Sequence, residues 1–332
     1  MNQNKTIALV GGAGYIGLSA ANYFLERGYK VTVLDNLIYG QEYFLRSFLF
    51  RENFEFINFD LRDIESLDKL KEKLSNIVLL AGLVGDPITT QYPEISNEIN
   101  GHAIRNFISK INELNATERF VFISTCSNYG LIPEGSSANE EFELNPLSLY
   151  AEEKVKNEKF IIKDLNNFNF SPTILRFSTA FGAAPRMRFD LTVNEFIRDI
   201  FLNKDLEVYD PDTWRPYCHV NDFAELIYLT LDADRDHVHG EIFNAGGQEN
   251  NHTKRQIVEI INSHFESKKI KFLEKGKDRR DYKVNFSKVK NILNFTPKWT
   301  VPMGVEEVIR NLQSGLYSSE ISDPNFYGNY KL

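Results

Sequence analysis

The stretch Ile7-Ala-Leu-Val-Gly-Gly-Ala-Gly-Tyr-Ile-Gly17 decides the fold. An apolar run, Ile7 to Val10, meets glycines at 11, 14 and 17, with Gly12 extra, and a helical pattern follows from Tyr15 to Glu26. A dinucleotide pyrophosphate needs this strand, turn and helix: Gly11 for a tight turn, Gly14 for close approach of the backbone to phosphate, Gly17 for close packing of helix on strand. Tyr15 and Ile16, lying between the last two glycines, belong to the same cofactor-facing turn. The spacing is Gly-x-x-Gly-x-x-Gly, a variant of the general Gly-x-Gly-x-x-Gly fingerprint. A second strand, Lys30 to Leu34, ends at Asp35, followed by Asn36. An acid about twenty residues past the glycines can accept hydrogen bonds from both ribose hydroxyls and repels a 2'-phosphate, which favours NAD over NADP.

Outward from this unit, apolar strands alternate with amphipathic stretches. Further strands are expected at Phe54 to Asn58, Ile77 to Ala81, Phe120 to Ser124 and Thr173 to Phe177, and helices at Ser66 to Leu74, Ile95 to Leu114 and Leu149 to Leu165. Strands separated by helices predict an α/β protein with a Rossmann-type, doubly wound parallel sheet covered on both faces. The second half changes texture: Ala183 to Phe189 and Tyr209 to Tyr217 read as loops rich in Pro, Arg and aromatics. Val220 to Leu231 and Glu241 to Asn244 read as a helix and a strand returning to the sheet. The expected division is a cofactor domain over 1–180, joined by 220–245, and a smaller substrate-binding domain over 181–219 and 246–332. The tail, Ser318 to Leu332, is expected to lie extended on the surface.

Composition excludes several classes. With 42% hydrophobic and 25% charged residues and a net charge of -8, the 332-residue chain has the balance of a soluble globular protein without a basic stripe for nucleic acid. No apolar run approaches membrane-spanning length and the chain enters a strand almost at once, so a cytoplasmic protein without membrane partner is expected. Its two cysteines, Cys126 and Cys218, are expected to be free thiols, and no Cys/His spacing suggests a metal.

Tyr150 and Lys154 stand four apart near the start of a helix, hence on one face, where an ammonium can stabilise a phenolate and make the tyrosine a general base. The pattern also describes ordinary solvated helices, and context separates the two. Upstream, Ser124-Thr125-Cys126-Ser127-Asn128-Tyr129-Gly130 places hydroxyls at a strand's carboxyl end, where parallel sheets bind ligands.

Together these residues resemble the extended short-chain dehydrogenase/reductase family, in its branch of NAD-dependent nucleotide-sugar epimerases and dehydratases, over about Ile7 to Asn311. The resemblance implies a catalytic set of Thr125, Tyr150 and Lys154. It assigns Asp60 and Leu61, in Asp60-Leu-Arg-Asp63, to the adenine, and Leu80-Ala81-Gly82 and Asn100 to the cofactor, with Gly82 where alanine is usual. On the substrate side it assigns Arg186 and Arg188, Asn194, Arg215, and Arg280 of Arg279-Arg-Asp281, with arginines suited to phosphate by their planar fork. His219 is expected to be structural, ahead of a helix capped by Asn221 or Asp222.

One departure narrows the chemistry. Dehydratases of this family carry an Asp-Glu pair after the catalytic threonine, where this chain has Cys126 and Ser127, both assigned to the substrate pocket. The family's epimerase-reductases carry a cysteine at the second of these places, which here is Ser127. The resemblance therefore implies a 4-epimerase that transiently oxidises the 4-hydroxyl of a nucleoside-diphosphate sugar. Its alternative is a 4-dehydrogenase or ketoreductase that releases its product, and the intact Thr125, Tyr150 and Lys154 argue against a non-catalytic cofactor-binding protein. Homodimerisation through the helices near Ile95 to Leu114 and Leu149 to Leu165 is expected from the family.

Overall fold

The computed structural model describes residues 5–265, 270–274, 276, 280–317, 321, 323 and 326–332. Twelve strands are found among them: β1 (Thr6–Val10), β2 (Lys30–Asp35), β3 (Phe54–Asn58), β4 (Asn76–Leu79), β5 (Arg119–Thr125), β6 (Ser171–Phe177), β7 (Thr179–Phe181), β8 (Leu206–Tyr209), β9 (Trp214–His219), β10 (Ile242–Ala245), β11 (Asn251–Thr253) and β12 (Ile270–Leu273). Seven form one parallel sheet in the order β10-β6-β5-β4-β1-β2-β3. The strand order reverses between β1 and β4, the position at which open α/β sheets bind ligands beyond their carboxyl ends.

Alternation along the strands builds a core on each face. Ile7, Leu9, Val31, Val33, Val78, Val121, Ile123 and Leu175 pack into one cluster, while Ala8, Val10, Leu34, Ile77, Leu79, Phe120, Phe122 and Ile174 pack into the other. Period-two alternation of uniformly apolar residues is what a sheet buried on both faces requires. The first cluster continues through Phe189, Ile197, Val305 and Tyr327, so the second half of the chain shares a core with the sheet.

Helices that flank the sheet follow from their apolar faces. Tyr15–Glu26 buries Leu18, Ala21, Phe24 and Leu25 against the Val220–Asp232 helix and ends ahead of Gly28, whose φ is 74°. Leu149–Lys163 starts at Ser148, whose Oγ accepts from Ala151 N at 3.4 Å. This helix buries Ala151, Glu153, Lys154, Val155, Asn157, Glu158 and Ile161, three of them charged.

The structure corrects several expectations. The Ile95 to Leu114 helix contains a π-helical segment, Asn97–Ala103, before the α-helical Ile104–Leu114, and the Ser66 to Leu74 helix is a 3-10 helix over Ile64–Lys73. Tyr209 to Tyr217 is not all loop: Trp214–His219 is the middle strand of a sheet ordered β11-β9-β7. Pro216, unusual inside a strand because it lacks a donor, hid that strand. His219 itself caps the following helix, its Nδ1 accepting from Asn221 N at 3.2 Å. The tail, where described, is not a surface strap: Tyr327 and Asn329 are buried, and Phe189 N donates to Tyr327 O at 2.7 Å. Among the described residues no helix is long and apolar enough to cross a membrane.

Candidate active site

A crevice runs along the carboxyl ends of β1, β2, β4, β5 and β6. At one end lies the glycine turn. Gly11 has φ 79°, and a Cβ on it would overlap the Ala81 backbone; a Cβ on Gly17 would lie 2.5 Å from Gly12 O. Both glycines are therefore required by the chain's own packing. Gly14 differs, since a Cβ there would meet nothing nearer than Gly11 O at 3.5 Å. Its bare backbone faces the crevice together with Tyr15, Ile16 and Gly17.

Asp35, buried at the end of β2, is tied to this turn. Its carboxylate accepts from Ala13 N at 3.0 Å, Leu37 N at 2.9 Å and Gln41 Nε2 at 3.3 Å. Burial raises its pKa, opposed by the two backbone donors and by the positive charge of Arg186. Asn36 donates to Asp60 at 3.0 Å, and a fork from Arg62 at 2.8 and 2.7 Å holds the Asp60 carboxyl well below the usual carboxylate range. Asn36, Asp60, Leu61, Leu80, Ala81 and Gly82 all line the crevice. Asn100 stands behind them: it brackets Leu83, accepting from its N at 2.8 Å and donating to its O at 2.9 Å. A Cβ on Gly82, whose φ is 149°, would press on Asn100 Oδ1 at 2.8 Å, which explains glycine where the family usually has alanine.

Thr125, Tyr150 and Lys154 meet on the opposite wall, with Ser124 and Ser127. Lys154 Nζ donates to Ile123 O at 2.6 Å and lies 5.8 Å from the centre of the Tyr150 ring. Burial pushes its pKa down to about 8, against the pull of Glu158 one turn along the helix. Tyr150 keeps partial exposure to the crevice. Burial pushes its phenol pKa up, the negative charge of Asp86 adds to this, and Arg188 and a hydrogen bond with Thr125 oppose it. In the protein alone burial thus governs this phenol, and the expected stabilisation of its phenolate by Lys154 concerns the loaded site.

Beneath the trio, Glu158 collects Arg176 Nη2 at 2.7 Å, Asn128 Nδ2 at 2.8 Å and the Ser124 hydroxyl. Cys126 belongs to this floor. Its thiol contacts Arg176 O at 3.1 Å, is pushed by burial up to about 12, and does not line the crevice, which overturns its assignment to the substrate pocket.

Four of the assigned substrate-side residues line the crevice: Ser127, Arg186, Arg188 and Arg280. Arg188 is engaged by Asp190 at 2.9 and 2.6 Å. Arg280 reaches Asp86 at 2.6 Å across the opening, while its neighbour Arg279 lies outside the described residues. Two others are not in the lining. Asn194 is fully buried, accepting from Gly182 N at 3.1 Å and donating to Tyr15 OH at 3.1 Å and Arg188 O at 3.0 Å, so it shapes the loop. Arg215 donates to Trp214 O and to Arg280 O and lies 5.0 Å from the Tyr282 ring centre; it supports the Arg280 segment from behind.

Sequence reasoning missed Asp86, Tyr39, Gln41 and Asn329, all crevice residues. For Asp86 a signal existed, Gly85-Asp-Pro87 at a helix start. Asn329, more than a hundred residues from the loop it meets, left none.

A sequence model of the NAD dependent epimerase/dehydratase family matches residues 7–246. The chain is 25% identical over 313 residues to UDP-glucuronate 4-epimerase of Thermodesulfobacterium geofontis, covering 91% of this chain and 94% of that protein. Among solved structures it is similar to UDP-glucuronic acid 4-epimerase from Bacillus cereus in complex with UDP-glucuronic acid and NAD, at a TM-score of 0.82 and 22% identity over 94% of this chain and 99% of that one. It is equally similar to DesIV, a dTDP-glucose 4,6-dehydratase from Streptomyces venezuelae, at a TM-score of 0.84 and 21% identity over 95% and 99%. Epimerase and dehydratase backbones match alike, so this likeness establishes the fold and leaves the chemistry to the side chains.

Proposed function

The chain belongs to the NAD-dependent epimerase/dehydratase family and is an NAD-dependent enzyme, and on that premise we propose that it is a 4-epimerase of nucleoside-diphosphate sugars. One observation carries the reading: Thr125, Tyr150 and Lys154 share a crevice wall, while the places that hold two acids in the family's dehydratases hold a buried thiol and Ser127. The crevice suits the cofactor: Gly14 presents bare backbone with room beside it, and Asp35 is oriented by the same turn.

When bound, NAD supplies the hydride acceptor and a positively charged ring. The chain supplies the proton transfer. Tyr150 takes the proton of the sugar 4-hydroxyl, and Thr125 hydrogen-bonds the oxygen as it becomes a carbonyl. Because burial and Asp86 hold the phenol protonated in the protein alone, Tyr150 becomes a base only where positive charge gathers beside it, to which the Lys154 ammonium contributes. A base formed only in the loaded site wastes no proton transfer on water. Arg188 and Arg280, within a substrate-facing part made of 181–219 and 246–332, form the sugar-nucleotide side together with Ser127 of the cofactor domain, and the helices near Ile95 to Leu114 and Leu149 to Leu165 form the homodimer face.

Incubating the protein with UDP-glucose, UDP-glucuronate and UDP-N-acetylglucosamine, with product analysis by NMR and NADH followed by absorbance, tests this. The expected result is a C4 epimer without accumulation of NADH. Released keto sugar with stoichiometric NADH would make the enzyme a dehydrogenase, and no turnover of any nucleotide sugar would overturn the reading.

A further inference from the structure

Arg186 is 2% exposed and lines the crevice. Its Nη2 donates to Asn329 Oδ1 at 2.7 Å and more loosely to Gly328 O at 3.4 Å, both in the C-terminal tail. Its Nε has no hydrogen-bond partner among the described residues. No carboxylate among the described residues forms an ion pair with it: Asp190 serves Arg188, and the Asp35 oxygens are taken by Ala13 N, Leu37 N and Gln41. Burial, with the like charge of Arg188, pushes its pKa down to about 10, so it remains a cation at neutral pH. Asp190 and Asp35 act on it through space only, and a buried guanidinium without a direct ion pair is costly, its unpartnered N–H being a place for an anion.

Position selects the anion. The guanidinium lies 5.4 Å from the centre of the Tyr39 ring, on the loop that follows β2, and its charge is felt by Asp35. Arg188 is the arginine whose charge is felt by Tyr150. Arg188, whose charge acts on Arg186 itself, is felt by Tyr39 and by Tyr15 of the glycine turn as well as by Tyr150, so what sets Arg186 toward the cofactor end is its own approach to the Tyr39 ring and its charge at Asp35.

We propose that Arg186, held in place by Asn329 of the C-terminal tail, binds the diphosphate of the dinucleotide cofactor, not the substrate as its place in the chain suggested. A guanidinium fork matches two phosphate oxygens, and the tail thereby becomes part of the cofactor site. This rests on the NAD reading above.

Calorimetric titration of cofactor-stripped protein with NAD, ADP-ribose, adenosine, NADP and uridine diphosphate tests it, with thermal unfolding of each variant recorded beside it. Arg186→Met is expected to weaken NAD and ADP-ribose by roughly ten- to a hundredfold, the range of a charge-assisted hydrogen bond, with adenosine and uridine diphosphate within about twofold. Asn329→Ala, which leaves the arginine in place, is expected to weaken NAD by roughly two- to tenfold. Unchanged NAD affinity in a folded Arg186→Met protein overturns the proposal. So does a loss confined to uridine diphosphate, which marks a substrate residue, or a loss confined to NADP, which marks a 2'-phosphate contact. Failure of the unmodified protein to bind NAD or ADP-ribose would instead sink the cofactor reading itself.

Discussion

Two arginines buried to the same degree, Arg176 at 3% exposure and Arg186 at 2%, are treated in opposite ways by the chain. Arg176 gives Glu158 three contacts, at 3.2, 3.2 and 2.7 Å, and gives Tyr129 OH one at 2.9 Å. Burial works against its charge, but Glu158 and Tyr129 hold its pKa above the ordinary value. Arg186 has, as direct partners among the described residues, tail amide and carbonyl oxygens. The first charge is completed within the chain and builds a rigid floor under Ser124, Thr125 and Lys154. The second is left for a ligand to complete, so the reacting end is preassembled while the cofactor end gains stability on binding.

The sharpest way to separate the two ends is Tyr150→Phe. It deletes the proton acceptor but keeps the ring, and turnover is expected to fall on the order of a thousandfold or more, with NAD affinity held within about twofold. Activity within tenfold of wild type would remove Tyr150 from the chemistry.

Stability distinguishes the arginines next. Glu158→Gln strips the counter-charge from Arg176 and is expected to cost about 3–5 kcal/mol in urea unfolding, because it leaves a charge buried alone. Arg186→Met, measured without ligand, is expected to stay within about 1 kcal/mol of wild type, since it removes a buried charge that no carboxylate among the described residues pairs directly. Equal losses would mean that the through-space charges of Asp190 and Asp35 compensate Arg186 as fully as Glu158 compensates Arg176.

At the cofactor end, Asp35→Ser is expected to narrow the preference for NAD over NADP by roughly tenfold or more, because the carboxylate that repels a 2'-phosphate is gone. Competitive binding of the two dinucleotides measures this. Equal affinities in the unmodified protein would show that Asp35 does not face the ribose.

The smallest effect is in pH. With the Lys154 pKa pushed down to about 8 by burial, the ammonium is present below that pH and lost above it, so kcat/KM is expected to decline on an alkaline limb near 8. Glu158 raises the Lys154 pKa, and in the folded fraction of Glu158→Gln the limb is expected at lower pH. A limb unmoved by that substitution would uncouple the floor from the reacting groups.

Much of the fold was legible because its signals are local. All six expected strands of the first half are present, with β4 ending at Leu79, short of Ala81, and the strand after the Val220–Asp232 helix begins at Ile242. The strand at Trp214–His219 was illegible because its apolar alternation is interrupted by Arg215 and Pro216, and it is made by partners on β7 and β11 that no local pattern names. The candidate site divides in the same manner. Gly11, Gly17, Asp35, Tyr150 and Lys154 announce themselves by spacing, whereas Arg215 and Asn194 match the family's positions yet do not line the crevice in this chain, and neither does Cys126, one residue before the family's cysteine.

The sequence by itself determined the parallel sheet, the crevice and the Tyr150 and Lys154 pair on its wall, because each follows from contacts within one strand, turn and helix or from four-residue spacing on a helix face, while Thr125 joined the pair through the family resemblance. Only the tertiary structure decided which charges are compensated. Glu158 meets Arg176 across 18 residues, Asn329 meets Arg186 across 143, and Asp86 meets Arg280 from a distant loop. The cost or gain of a buried charge depends on the few ångströms around it, a distance that chain separation does not encode.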